Sequence, residues 1–388
     1  MTARPRDGTI PGMTSRAKNL DALSKLDPNL ATTGAQGDLL WYDVAWLSVE
    51  GMGWTETDGP YERLPRRAKG IVPGAVWDLA RCSAGICAGF VTDATRISAR
   101  WTLKNARLAM DHMPATGVSG LDLYTRVGRQ WRWLGVGRPT EIPTNEVELT
   151  SGLPDGSREY RLYLPLYNGV TEVKLGIPKG ATLAPSPGRS LPSQRPVVFY
   201  GTSIVQGGCA ARPGMAYPAI LGRSLAVPTI NLGFSGNGRM EPEVGRLLAE
   251  IDAAAFVLDC LPNVEEPLVT ERTGPLVRIL RQSHPGTPIV LVENITYTNA
   301  YLVGSRQARC TTSNRAYRNV YERLRKAGVP QLWYVEGDRL LGDDGEGTVD
   351  GTHATDVGFL RIAQVLCPVL ARALHAGAGR PRRAPRRS

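Results

Sequence analysis

The chain has 388 residues, 42% apolar and 21% charged, with six cysteines and a net charge of +10. That is ordinary globular usage in a chain longer than one hydrophobic core usually serves, so a packed protein of two domains is expected. No apolar run approaches the ~18–20 residues that cross a bilayer, and the charged start MTARPRDGTIPGMTSRAKNL has no apolar segment behind it, so neither a membrane span nor a signal peptide is expected and a cytoplasmic location follows.

The positive charge raises a nucleic-acid partner, but the tail Arg380-Pro-Arg-Arg-Ala-Pro-Arg-Arg-Ser388 carries five of the charges. Only seven of the 46 basic residues are lysine, an arginine bias that fits a GC-rich genome as well as a binding role. No aromatic residues interleave with the tail and no helix-turn-helix or zinc-finger spacing appears, so nucleic acid is not the expected partner. Among Cys82, Cys87, Cys209, Cys260, Cys310 and Cys367 only the first two are close, and CSAGIC is not a metal-ligand spacing. The expectation is buried free thiols in a reducing compartment, a Cys82–Cys87 bridge if the chain is exported, and no metal.

In chain order, residues 1–37 read as an extension. From 38 to 179 the chain reads as all-β, with short segments rich in Val, Tyr, Trp and Thr punctuated by Gly and Pro: LLWYDVAWLSVEG, TRISARWTLK, LDLYTRV, QWRWLGV, EYRLYLPL and TEVKLGI. Their spacing predicts a β-sandwich of jelly-roll kind. In QWRWLGV, Trp131, Trp133 and Gly135 alternate as a half-buried strand requires. Residues 180–195, with three prolines, a fourth at Pro196 and no periodicity, read as a linker.

From 196 to 376 the pattern changes. VVFYG, TINLGF, AFVLDCL, PIVLVE and QLWYVEG are short apolar runs, as in strands buried on both faces. Helix-like segments lie between them: AYPAILGRSLA, PEVGRLLAEID, RTGPLVRILRQS, SNRAYRNVYERLRKAG and DVGFLRIAQVLCPVLARAL. The alternation predicts a three-layer α/β/α unit on a parallel sheet, where function collects beyond the carboxyl ends of the strands. Residues 377–388 read as a disordered basic tail.

Ser203 follows the first of these strands directly, in YGTSIVQGG. An isolated serine there serves equally as the cap of the next helix, and the nucleophile-elbow pattern GxSxG is absent. Four histidines are available as a base. His112 lies in the β half, His284 in a turn-like segment after a helix, and His375 past the last helix. His353, in Asp350-Gly-Thr-His353, falls between the last strand and the final helix, where a carboxylate three residues earlier can hold Nδ1–H and leave Nε2 toward the serine. Charge developing on a carbonyl oxygen needs donors. The glycine loop Asn231-Leu-Gly-Phe-Ser-Gly236-Asn-Gly and the amide of Asn263, in Asp259-Cys-Leu-Pro-Asn263, follow the second and third strands. Arg239, beside the loop, is placed to contact an anionic substrate; Cys209 has no partner pattern and reads as a small buried residue.

The order YGTS, NLGFSGNG, DCLPN, DGTH resembles the four blocks of the SGNH (GDSL-like) hydrolase superfamily, over about residues 196–372. The resemblance implies Ser203 as nucleophile and N–H donor, Gly236 as backbone donor, Asn263 as side-chain donor, His353 as base and Asp350 as its orienting carboxylate, with no cofactor. Here Gly-Thr-Ser stands for Gly-Asp-Ser, and Leu-Pro-Asn for Gly-x-Asn-Asp. Some relatives with an added β domain are thought to use a Ser-His dyad. Gly120-Leu-Asp-Leu-Tyr124 is similar to the GxDLY signature of a β domain that precedes such esterases. The function expected is a serine esterase that removes a small acyl group, acetyl above all, from a carbohydrate or glycosylated metabolite. The alternatives are a thioesterase or lysophospholipase-type acylhydrolase and, from another class, a non-catalytic carbohydrate-binding protein.

Overall fold

The computed structural model describes residues 32–33, 37–188 and 194–378. The rest of the N-terminal extension, the centre of the proline-rich stretch and the arginine tail lie outside the described residues.

Strands β1 (Thr32–Thr33), β2 (Leu39–Asp43), β3 (Ser48–Glu50), β4 (Cys87–Thr92), β5 (Ile97–Leu103), β6 (Leu121–Val127), β7 (Gln130–Gly137), β8 (Thr144–Thr150), β9 (Arg158–Tyr163), β10 (Val170–Pro178) and β11 (Leu183–Pro185) make two antiparallel sheets. One runs β1-β2-β10-β5-β8 and the other β11-β4-β9-β6-β7, with β3 also paired to β4. The period of two is clear in β5, where Ile97, Ala99, Trp101 and Leu103 point inward. They meet Phe90, Leu121, Leu123, Tyr160 and Leu162 of the other sheet, so the predicted sandwich is what forms. The stretch read as a linker from residue 180 contributes β11, because Leu183 and Ala184 bury against the edge of β4. All six cysteines are free.

In the second half β12 (Val197–Gly201), β13 (Thr229–Gly233), β14 (Ala255–Asp259), β15 (Ile289–Val292) and β16 (Leu332–Val335) form a wholly parallel sheet in the order β13-β12-β14-β15-β16. The helices are α1 (Gly74–Ala80) and α2 (Ala115–Val118) in the β half, then α3 (Ser203–Gln206), α4 (Tyr217–Leu225), α5 (Pro242–Leu248), α6 (Glu266–Ser283), α7 (Gly304–Lys326) and α8 (Asp356–Ala378). One sheet face carries α4 and α8, and the other α5, α6 and most of α7. Strand order reverses beside β12, which places the switch point, and hence the expected ligand crevice, at Ser203.

The last helix corrects one expectation. Asp356–Gly377 is long and apolar enough by length and composition to cross a membrane. Phe359, Ile362, Leu366, Leu370 and Ala373 bury one face of it in the α/β core. The helix also takes in His375, which the sequence had placed beyond it.

The β half does not merely flank the α/β unit. Leu64, Ala68, Val72 and Val76 join the core on one face of the parallel sheet, and Met113, Val118 and Leu166 join the core on the other. Arg63, 1% exposed, crosses the boundary and gives its N–H groups to the carbonyls of Cys82 (2.9 Å), Asn231 (3.1 Å) and Gly233 (2.7 Å). A buried guanidinium is tolerated because its donors are spent in this way.

Candidate functional site

Ser203 is the first residue of α3, at the carboxyl end of β12. The cap of that helix is Thr202, whose hydroxyl accepts from Ile204 N–H at 3.3 Å. Capping therefore makes no demand on the Ser203 hydroxyl, which lies 2.9 Å from His353 Nε2. On the other side of the imidazole, Nδ1 is 2.7 Å from Asp350 Oδ2. Asp350 Oδ1 also accepts the N–H groups of Thr352 (3.0 Å) and His353 (2.8 Å), which fixes the turn. Partial burial pushes the Asp350 carboxyl up, but the His353 backbone N–H, the imidazole and the Thr352 N–H outweigh it and hold the group at about 2. An ionised Asp350 keeps the proton on Nδ1 and leaves Nε2 to accept from Ser203. Ser203 is 5% exposed.

The donor candidates surround the same strand end. Gly238 sits so close to β12 that a Cβ there would lie 1.9 Å from Gly201 O, and its φ of +69° needs glycine. Gly236, at φ +68°, is exposed with open space where a side chain would be. Asn263 ends a 3₁₀ turn after β14 and gives one N–H to Asn237 O at 2.7 Å, which leaves the second amide N–H for a ligand oxygen. The first-turn N–H groups of α3 have no acceptor within the helix. Arg239 turns its guanidinium back to Gly236 O at 2.9 Å, so in this structure it braces the glycine loop.

Several neighbours escaped the sequence reading. Tyr167, from the β half, donates to Ser203 O at 3.3 Å. Gln206, fully buried, accepts from Ser235 N–H at 3.0 Å and donates to Leu166 O at 3.1 Å, which ties the glycine loop to the sandwich. His112, at the tip of the tight Met110–Met113 turn, brings its ring centroid to 5.5 Å from that of His353. Cys209 lies in the left-handed region at φ +74° and is buried. Burial, with the Asp350 charge behind it, pushes its thiol up to about 12, so it is no thiolate nucleophile. Nothing local marks Tyr167 or His112, because the domain boundary brings them to the site.

A hydroxyl, an imidazole and a carboxylate in hydrogen-bonded series at the carboxyl edge of a parallel sheet, with backbone donors alongside, belong to the class of hydrolytic enzymes. Residues 194–371 match the GDSL-like lipase/acylhydrolase family, and residues 39–183 match the N-terminus of SGNH-hydrolase-type esterases. The chain is 36% identical to a Bacteroides ovatus protein described as a GDSL-like lipase, with a TM-score of 0.81 over 87% of this chain and 98% of that one. It belongs to the GDSL-like (SGNH) hydrolase family. Two more distant structures share the fold. A salicylyl-acyltransferase from a tetracycline biosynthetic pathway is 20% identical, TM-score 0.68, over 86% of this chain and 97% of that one. A family two carbohydrate esterase from Clostridium thermocellum, solved with cellohexaose, is 16% identical, TM-score 0.55, over 76% and 94%. None of the curated protein sequences compared matches the chain.

Proposed function

We propose that this hydrolase cleaves a small acyl ester, acetyl above all, from a carbohydrate or glycosylated metabolite, through an acyl-enzyme on Ser203. The observation that carries the reading is the unbroken series Ser203 Oγ, His353 Nε2, His353 Nδ1, Asp350 Oδ2, at 2.9 and 2.7 Å. In this mechanism Ser203 Oγ attacks the ester carbonyl carbon as its proton passes to His353 Nε2. The carbonyl oxygen takes up the negative charge, received by the N–H groups of Ser203 and Gly236 and by the free amide N–H of Asn263. Collapse expels the alcohol, which leaves with the proton from His353. Water then gives a proton to His353 as it attacks the acyl carbon, and Ser203 departs with that proton. Apart from the ester and water, each step uses side chains and backbone of this chain. Acetyl-sugar preference is supported by the shared architecture with the carbohydrate esterase, and the α/β unit and sandwich would bound the substrate cleft together. The reaction needs no membrane or nucleic-acid partner, and a cytoplasmic setting suits the free thiols.

One observation favours a second reading, hydrolysis of a longer acyl chain or thioester. Tyr301 and Leu302 are 85% and 81% exposed in a loop whose Thr298 N–H donates to Gly351 O, in the same turn as His353. Rates on p-nitrophenyl acetate, butyrate and octanoate separate the two, with Ser203→Ala as control. A fall from acetate to octanoate supports the acetyl reading and a rise supports the long-chain one. Equal rates for parent and Ser203→Ala on all three would remove Ser203 from the mechanism.

A further inference from the structure

Three metal-ligating side chains meet at one flank of this site, from three distant parts of the chain. His112 comes from the sandwich, Cys209 follows α3, and His353 precedes α8, and one ligand atom of each lies within 4.8 Å of the others. Three atoms no farther apart than that share a point within about 2.8 Å of each, close to the Zn–N and Zn–S lengths of about 2.0–2.3 Å. His112 is exposed at a turn tip, where burial does not hold its ring. Cys209 is held at φ +74°, a backbone conformation a cysteine adopts only at a cost and one that places it beside the base.

We propose that His112, Cys209 and His353 form an inhibitory Zn2+ site that takes the base of the reaction out of service. The lone pair on His353 Nε2 goes to the metal in place of the Ser203 hydrogen, which breaks the 2.9 Å bond between them. The Cys209 proton is released to solvent as its sulfur binds. Asp350 stays on Nδ1 at 2.7 Å, and so becomes the outer carboxylate that orients a zinc-bound imidazole. The pair that prepares His353 for proton transfer thus also prepares it for a metal. A nitrogen–nitrogen–sulfur set is one that Zn2+ accepts, with the fourth position open to water or Ser203 Oγ. The site controls the enzyme rather than serving its chemistry, so it stands whether the substrate is an acetyl sugar or a long acyl ester.

The test titrates Zn2+ into the full chain in chelator-free buffer while p-nitrophenyl ester hydrolysis is followed, for the parent, His112→Ala and Cys209→Ala. The expected result is loss of activity at one Zn2+ per chain, reversed by EDTA. Each variant should keep basal kcat/KM within about threefold while needing at least about tenfold more Zn2+, since even an outer partner of a ligand is worth 10–100-fold in affinity. A second arm reads Co2+ absorption directly: a thiolate-to-cobalt charge-transfer band in the parent that Cys209→Ala lacks. Unchanged Zn2+ sensitivity in both variants, or no such band in the parent, overturns the proposal. The cobalt arm is independent of esterase activity, so failure of the functional reading and failure of the metal site are told apart.

Discussion

Asp122 of the sandwich, fully buried, receives the Arg212 guanidinium of the α/β unit at 2.8 Å. The same carboxyl accepts Gly214 N–H at 2.8 Å and the Trp133 indole N–H at 3.0 Å. Burial pushes this carboxyl up, against the pull of Arg212 and Gly214. Arg223 lies over the ring of Tyr124, 4.1 Å from its centroid, two residues along the same strand. The aspartate and tyrosine of the GLDLY signature are thus a docking device that grips the loop and helix after Ser203.

Removing that carboxylate strands a guanidinium at the domain boundary. Asp122→Ala is expected to cost about 2–4 kcal/mol, near the range for breaking a buried pair and lowered because the Arg212 side chain is 23% exposed. Urea unfolding measures the loss. A midpoint equal to that of the parent would mean the pair contributes nothing.

Asp259 gives a pH-dependent stability. Burial raises its carboxyl to about 7, with the Tyr217 hydroxyl, 2.8 Å away, pulling the other way. The folded chain holds a proton there that an unfolded aspartate releases near pH 4, so stability from this group is full below about pH 4 and falls as pH rises to about 7. Asp259→Asn keeps an acceptor for Tyr217 and removes the titration. The variant should match the parent at low pH and exceed it at pH 8 by on the order of 2–4 kcal/mol. Urea curves at pH 4 and pH 8 check this, and no gain at pH 8 would show that Asp259 ionises readily in the fold.

Asp350→Asn asks whether the serine and imidazole suffice. Loss of the charge on Nδ1 should lower kcat by about 10²–10⁴-fold, the range for a mis-set tautomer, with KM within about threefold. A decline of less than tenfold would make Ser203 and His353 a working dyad.

Asn263 has two duties that its variants separate. Asn263→Ala and Asn263→Asp both lose the proposed oxyanion donor and should lower kcat by about 10²–10³-fold. Both also lose the 2.7 Å bond to Asn237 O, costing about 1 kcal/mol of stability by urea unfolding. Unchanged kcat with lowered stability would leave Asn263 a loop brace alone.

Ser203, Asp350 and His353 were legible because chemistry, residue type and strand-end position converge on few candidates in this sequence. The five parallel strands were legible for a similar reason, since continuous apolar runs leave little else. Starts of helices were not. The α7 helix begins at Gly304, well before the periodic segment, through GSRQARCTTSN, where Thr311, Thr312 and Ser313 bond back to carbonyls four residues earlier. Polar side chains satisfied within the helix leave no hydrophobic period to read. Which hydroxyl caps α3 was not legible either, because serine and threonine stand side by side and propensity cannot say which one turns inward. Tyr167, Gln206 and His112 matter through contacts between halves, which no local window contains.

The sharing of cores has a bearing on how the molecule comes into being. Synthesis runs from the N-terminus, so the sandwich can fold before Val197 emerges. The segment carrying Leu64, Ala68, Val72 and Val76, which the parallel sheet buries on one face, and Met113, Val118 and Leu166, which it buries on the other, are then already in place. The parallel sheet can then assemble against an apolar surface that is already prepared. The first half of the gene in this sense encodes an attached template for the second.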